Sequence, residues 1–186
     1  MFRKLVENIN FRNKFINYVA DQLNTSFLPS VIINKINEYK SKIEFAIQEH
    51  INRWNVIKSW EDNIDILRRF AKNRSSYMRK HIIKNFINYG VNKVFIINID
   101  LNSDMGYINI NSITLNKLTL GVNNPNNWSG KYFNNIPIYI STIPYDGYVF
   151  DHWEGINDQV SIYNKEITLI LDSNISIKAI FKEKSS

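Results

Sequence analysis

Apolar residues recur every three or four positions in the first half of the chain and every second position in the second half. Leu5, Ile9, Ile16, Val19 and Leu23 form one stripe, which predicts an amphipathic helix. Asn24, Thr25 and Ser26 weaken it, and Pro29 stands where a helix favours proline, predicting a second helix. Ile32, Ile36, Tyr39, Ile43, Ile47, His50 and Trp54 carry that helix onward. After a break near "NVIKS", Ser59 is a good N-cap, with Asp62 three residues on. Trp60, Ile64, Leu67, Ala71, Met78, Ile82 and Phe86 then lead to Gly90, a residue suited to closing a helix. Three long amphipathic helices with short joints predict an antiparallel bundle.

After Gly90 the pattern alternates. "KVFIINID" and "YININSITL" flank a polar turn at Asn102 to Gly106 and predict a hairpin. "NIPIYIST" alternates Ile136, Ile138 and Ile140, "EITLIL" alternates Ile167, Leu169 and Leu171, and "NISIKAIF" alternates Ile175, Ile177, Ala179 and Phe181. About five or six strands make a small all-β unit. Gly and Pro shift at the same boundary: residues 1–90 hold one of each, Gly90 and Pro29, and the other five Gly and three Pro follow. The expected class is α+β as two segregated domains. A three-helix bundle spans 1–90 and a small all-β module spans 91–186, with separate cores and a short joint.

Charge divides there too. Residues 1–90 carry 16 Lys and Arg against 8 Asp and Glu, and residues 91–186 carry 7 against 9, within a net charge of +6. The absence of cysteine excludes disulfides, thiolate zinc sites and cysteine nucleophiles. Apolar runs such as Val94 to Ile97 are too short to span a bilayer, and "MFRKLVENINFRNK" has no apolar stretch long enough for a secretory signal. Ile and Asn number 31 and 28, so the N-x-[ST] matches at Asn24, Asn127 and Asn174 are of a kind that an Asn-rich chain makes by chance.

Four places have residues that could carry chemistry. "STIPYDGYVFDHWEG" (141–155) gathers aromatics with Asp151, His152 and Glu154. Gly147 can supply the positive φ of a turn. Tyr148, Phe150 and Trp153 are expected as the structural core of the β module, with Trp153 capping the open end of a small sheet. Neighbours on a strand point apart, so Asp151, His152 and Glu154 are not expected to converge as a catalytic set. "DLNSDMG" (100–106) places Asp100, Asn102 and Asp104 at alternate positions, as calcium ligands are. Met105 stands where such a loop needs glycine, and Asn111 where it needs a bidentate glutamate, so a polar turn is the plainer reading. Arg68, Arg69, Lys72, Arg74, Arg79 and Lys80 make the third helix basic. They are read as a solvated face or as contacts to an acidic partner or anion; nucleic acid is disfavoured because no recognition motif accompanies them. His50 and His81 lack the spacing of metal ligands and read as interface histidines.

Two stretches resemble known families. "FRNKFINYVADQLNTSF" (11–27), "HINRW" (50–54), Trp60 and "LRRFAKNRSSYMRKHI" (67–82) resemble the C-terminal part of the CotH-type kinase family, atypical kinases named after a spore coat protein. Ser75 departs from the proline that family often has there. "PYDGYVFDHWEG" (144–155) and "SIKAIF" (176–181) resemble the divergent InlB-type B-repeat, a small module of bacterial surface proteins.

The resemblance implies a location at the cell envelope, spore surface or outside the cell. It also implies that a CotH-type nucleotide loop, catalytic lysine and metal-binding aspartates would precede the matched helices. Residues 1–89 contain no glycine, and a phosphate cradle needs the close backbone approach that glycine permits. No catalytic, cofactor-binding or metal residue is therefore carried over. The expectation is a non-catalytic C-terminal region of a CotH-like protein Ser/Thr kinase. Its helices would support the kinase core, and its β module would act as a surface spacer or adhesion unit, with that core or another surface protein as partner. The alternative is a free-standing basic protein that binds nucleic acid or another polyanion through the third helix.

Overall fold

Where Asn8 follows the first apolar turn, its side-chain oxygen accepts a hydrogen bond from the Phe11 amide at 3.0 Å. This N-cap divides the first expected helix into α1 (Phe2–Leu5) and α2 (Ile9–Asn24). The computed structural model describes residues 2–54, 59–156 and 160–184. Pro29 opens α3 (Pro29–Trp54). Ser59 caps α4 (Trp60–Phe86) by accepting from the Asp62 amide at 3.3 Å. A 3-10 turn (Ile87–Tyr89) follows, and Gly90, at φ 81°, ends the helical region in the left-handed conformation.

Eight strands follow: β1 (Val94–Asp100), β2 (Gly106–Ile110), β3 (Ile113–Leu115), β4 (Asn127–Phe133), β5 (Ile138–Pro144), β6 (Tyr148–Glu154), β7 (Glu166–Leu169) and β8 (Ile175–Glu183). They form two four-stranded sheets, ordered β4-β1-β8-β6 and β3-β2-β5-β7. All pairs are antiparallel except β1 with β8. The fold is α+β, with helices first and sheets after.

The expected hairpin over 93–115 does not form, because β1 and β2 lie in different sheets. Leu101 is buried, and its amide donates to the Asn126 carbonyl at 3.1 Å, so the chain turns across the core between the sheets. Each sheet thereby turns an apolar face to a shared interior, whereas a lone two-stranded hairpin is only marginally stable. Strand β4 was not foreseen. It buries Trp128, Gly130 and Tyr132 on one face, and Gly130 hides the alternation because a Cβ there would collide with the Trp128 ring.

Helix packing also departs from a three-helix bundle. No described residue of α3 is buried, and α3 and α4 pair as a two-helix arm. Lys40 bridges them, with its ammonium 2.8 Å from Glu61, and Arg68 donates to Asn37 Oδ1 at 2.7 and 3.1 Å. Helix α2 packs instead against β4. Ile16 and Ala20 of α2, with Ile82 and Phe86 at the end of α4, belong to the same buried cluster as the inner residues of both sheets. Where separate cores were expected, the ends of α2 and α4 share one buried cluster with both sheets, while Leu23, Ile64 and Ala71 are buried outside it. The reason is polar: Asn17, Asp21 and Asn24 lie on the buried face of α2, and their partners are on the β half.

Asp21 is only 1% exposed. Its Oδ2 accepts from the Ser112 amide and hydroxyl at 3.0 and 2.6 Å, and its Oδ1 from the Tyr132 hydroxyl at 2.8 Å and Asn111 Nδ2 at 3.4 Å. Asn111 and Ser112 form the two-residue turn between β2 and β3, with Asn111 at φ 48°, a conformation Asn tolerates better than most residues. Asn17 donates to the Pro137 carbonyl at 2.7 Å. Asn24 accepts from the Lys131 amide at 3.0 Å and donates to its carbonyl at 3.1 Å. Burial raises the Asp21 carboxyl above its ordinary range, while hydrogen bonds from Ser112, Tyr132 and Asn111 pull it down. Burial raises the Tyr132 hydroxyl well above its usual value, and the neighbouring Asp21 charge adds to this.

Two outcomes follow from this joint core. Trp153 is 1% exposed, lies 5.5 Å from the Phe150 ring and donates its indole N–H to the Asn164 carbonyl at 2.9 Å. Trp153→Ala is expected to cost about 3–5 kcal/mol, with helix and sheet signals lost in one thermal transition by circular dichroism. For Asp21, the folded carboxyl holds its proton to higher pH than the unfolded one. The penalty on its charged form is therefore relieved as pH falls toward the unfolded value. Comparing wild type with Asp21→Asn, the melting-temperature difference should move in favour of wild type between pH 7 and pH 4.

Candidate functional site

Where the end of α2, the start of α3 and the middle of α4 approach the outer edge of β4, they enclose an open cleft of about 860 Å³. Gly121, at φ 84°, lets the loop before β4 pass against the α2–α3 corner, where a Cβ would lie 2.7 Å from the Thr25 carbonyl oxygen. Leu28, Ile83, Val94 and Ile96 give the cleft half-buried apolar walls. Lys72, Arg79, Lys80 and Lys131 line it, and no acidic residue does so among the described residues.

Arg79 is held most firmly. It donates through one terminal nitrogen to Asn24 Oδ1 at 2.9 Å and the Leu23 carbonyl at 3.3 Å, and through the other to the Ser75 carbonyl at 3.4 Å. Its Nε is buried without a hydrogen-bond partner among the described residues. All its acceptors are neutral, and burial lowers the guanidinium below its ordinary pKa. Ser75 donates to the Phe27 carbonyl at 2.7 Å and so ties α4 to the α2–α3 corner.

The structure separates the six basic residues singled out on the third helix. Lys72, Arg79 and Lys80 reach the cleft; the Lys80 ammonium also lies 5.6 Å from the Tyr77 ring. Arg68 pairs with Asp65 at 2.8 Å. Arg69 and Arg74 lie on another surface beside Phe70, with the Arg74 guanidinium 5.4 Å from its ring. Lys131 and Trp128 complete the cleft from β4, a strand the sequence pattern did not disclose.

The other candidates are placed as follows. Asp100 Oδ1 accepts from Asn127 Nδ2, and Asn102 Oδ1 accepts from the Asp104 amide at 3.1 Å, the local pattern of a polar turn. Among the described residues no group of three or more His, Asp and Glu is arranged to hold a metal ion. His50 and His81 are exposed, so the interface reading of both is corrected.

In β6, Phe150 and Trp153 are buried and Tyr148 is half-buried, with Gly147 and Gly155 on either side at positive φ. Trp153 belongs to the buried core cluster. A β-bulge between Phe150 and His152 leaves Asp151 without a cross-strand partner. This brings Asp151 and His152 together, contrary to the expected divergence, with Oδ2 2.8 Å from Nδ1. Lys182 lies 2.6 Å from the same carboxylate, and its hydrogen bond, followed by that of His152, holds Asp151 below the usual carboxylate range. Glu154 lies instead 3.6 Å from Lys178.

The arm carries a second surface. Phe45 and Trp54 of α3 are 94% and 61% exposed, and Ile66, Leu67, Phe70 and Tyr77 of α4 are also exposed. No described helix is long and apolar enough to cross a membrane.

Residues 1–78 match the family model described as CotH kinase protein. That segment takes in α1, α2, α3 and α4 as far as Met78, and so includes the arm's exposed apolar side chains. No curated protein and no solved structure matches the chain.

Proposed function

We propose that this chain is a non-catalytic C-terminal region of a CotH-like protein kinase, whose arm supports the kinase core and whose β module serves as a surface spacer or adhesion unit. The observation that carries this reading is that the CotH-like segment coincides with an arm whose large apolar side chains face solvent. On α4, Ile66, Phe70 and Tyr77 recur at helical spacing on one exposed stripe, a pattern that suits a contact site, and Phe and Trp are typical anchors of such contacts. The β module, whose two sheets share a buried cluster with α2 and the end of α4, suits a spacer docked on the helices. Its location in this proposal is the cell or spore surface, the expectation drawn from the B-repeat-like residues 144–155 and 176–181. The arm's occupant is the kinase core of a CotH-type protein.

Two measurements test the proposal. In a pull-down with a purified CotH-type kinase core, the wild-type chain should bind. Joint substitution Phe45→Ser, Trp54→Ser and Phe70→Ser should abolish binding with little change in melting temperature, since exposed substitutions usually cost less than about 0.5 kcal/mol each. Failure of the wild type to bind, or undiminished binding by the triple variant, would overturn the arm's assignment. Separately, the chain incubated with ATP and Mg²⁺ should release no phosphate; ATP turnover by the purified chain would refute the non-catalytic reading.

A further inference from the structure

We propose that the cleft between α4 and the outer edge of β4 binds a small organic phosphate, a phosphomonoester joined to an apolar group. Three independent features point there. The first is charge: Lys72, Arg79, Lys80 and Lys131 line the cleft with no carboxylate among the described lining residues. None of the four forms an ion pair among the described residues.

The second is Arg79. A half-buried guanidinium facing only neutral acceptors is an arrangement that stability alone does little to favour. Arg79 lines the cleft, and a planar guanidinium matches phosphate oxygens geometrically. The third is shape. About 860 Å³ lies within the range of small-molecule sites, and the apolar walls formed by Leu28 and Ile83 suit a ligand with a hydrocarbon or ring portion. An extended polyanion needs a basic track along the surface. Beyond Lys72, which borders both, the basic residues of α4 pass from this cleft to a surface where Asp62 and Asp65 stand beside Arg68 and Arg69, so the acid-free basic lining of the cleft does not continue onto that surface.

The test uses the full chain and phenyl phosphate as probe, with phenol and benzoate as comparisons, read by amide chemical shifts. Phenyl phosphate should give saturable shifts at the Ser129 and Lys131 amides; phenol should give none, and benzoate weaker binding. Arg79→Gln should abolish the response. Because that change could also unfold the protein, the exposed pair Lys72→Gln and Lys80→Gln is the deciding variant. It should stay folded and bind about tenfold more weakly, as expected for loss of charge-assisted contacts. Arg74→Gln, outside the cleft, should bind as wild type does. The proposal is overturned if the folded wild type shows no saturable shift at about 10 mM phenyl phosphate, a concentration that would reveal even millimolar binding. It is equally overturned if benzoate binds as tightly, if the Lys pair leaves affinity unchanged, or if Arg74→Gln weakens binding as much as the Lys pair does.

Discussion

A carboxylate taken out of water must find partners, and the Asp21 carboxylate imposes that requirement on the whole fold. An unpaired buried charge would cost several kcal/mol. Four donors from the β2–β3 turn and β4 surround it instead. These donors are more than 80 residues away in sequence, so the interaction exists only when α2 lies in one position and rotation on the sheets. Apolar contacts at Ile16 and Ala20 tolerate small shifts; bonds to two oxygens from a turn and a tyrosine do not. The α2–α3 corner, and with it one wall of the cleft, takes its place from this arrangement.

Helix α4 then joins two regimes. Its last turns bury Ile82 and Phe86 in the common core, while Phe70 and Tyr77 nearer its start face solvent. The segment that matches the CotH model ends at Met78, inside this one continuous helix. The family-like part therefore reaches the sheets through the last turns of α4 and the 3-10 turn that follows, and a load on the arm would act along α4 toward the core that holds Trp153.

Periodicity revealed most elements because amphipathic helices and alternating strands bury large apolar residues at regular intervals. Ser59, Pro29 and Gly90 were legible as helix boundaries because their roles are local. Three kinds of information were not local. Asn17, Asp21 and Asn24 look like a solvent face of α2, since nothing in the sequence marks the distant partners that make burial tolerable. The switch of β1 and β2 into different sheets depends on which apolar faces meet. The cleft was half legible: Lys72, Arg79 and Lys80 stood out as basic positions, but Lys131 lies on a strand masked by Gly130, and only the fold separates these residues from Arg68, Arg69 and Arg74.

The side chain of Asn24 places an amide opposite Lys131 and completes one rung of a ladder that β4, at the margin of its sheet, would otherwise offer to any passing strand. A primary amide carries the same donor and acceptor as a peptide group, so α2 acts there as a one-residue neighbouring strand. The helix thus guards the protein against self-assembly as well as against unfolding. Where α2 detaches, β4 becomes a template, and association of chains edge to edge would compete with refolding in a chain so rich in isoleucine and asparagine.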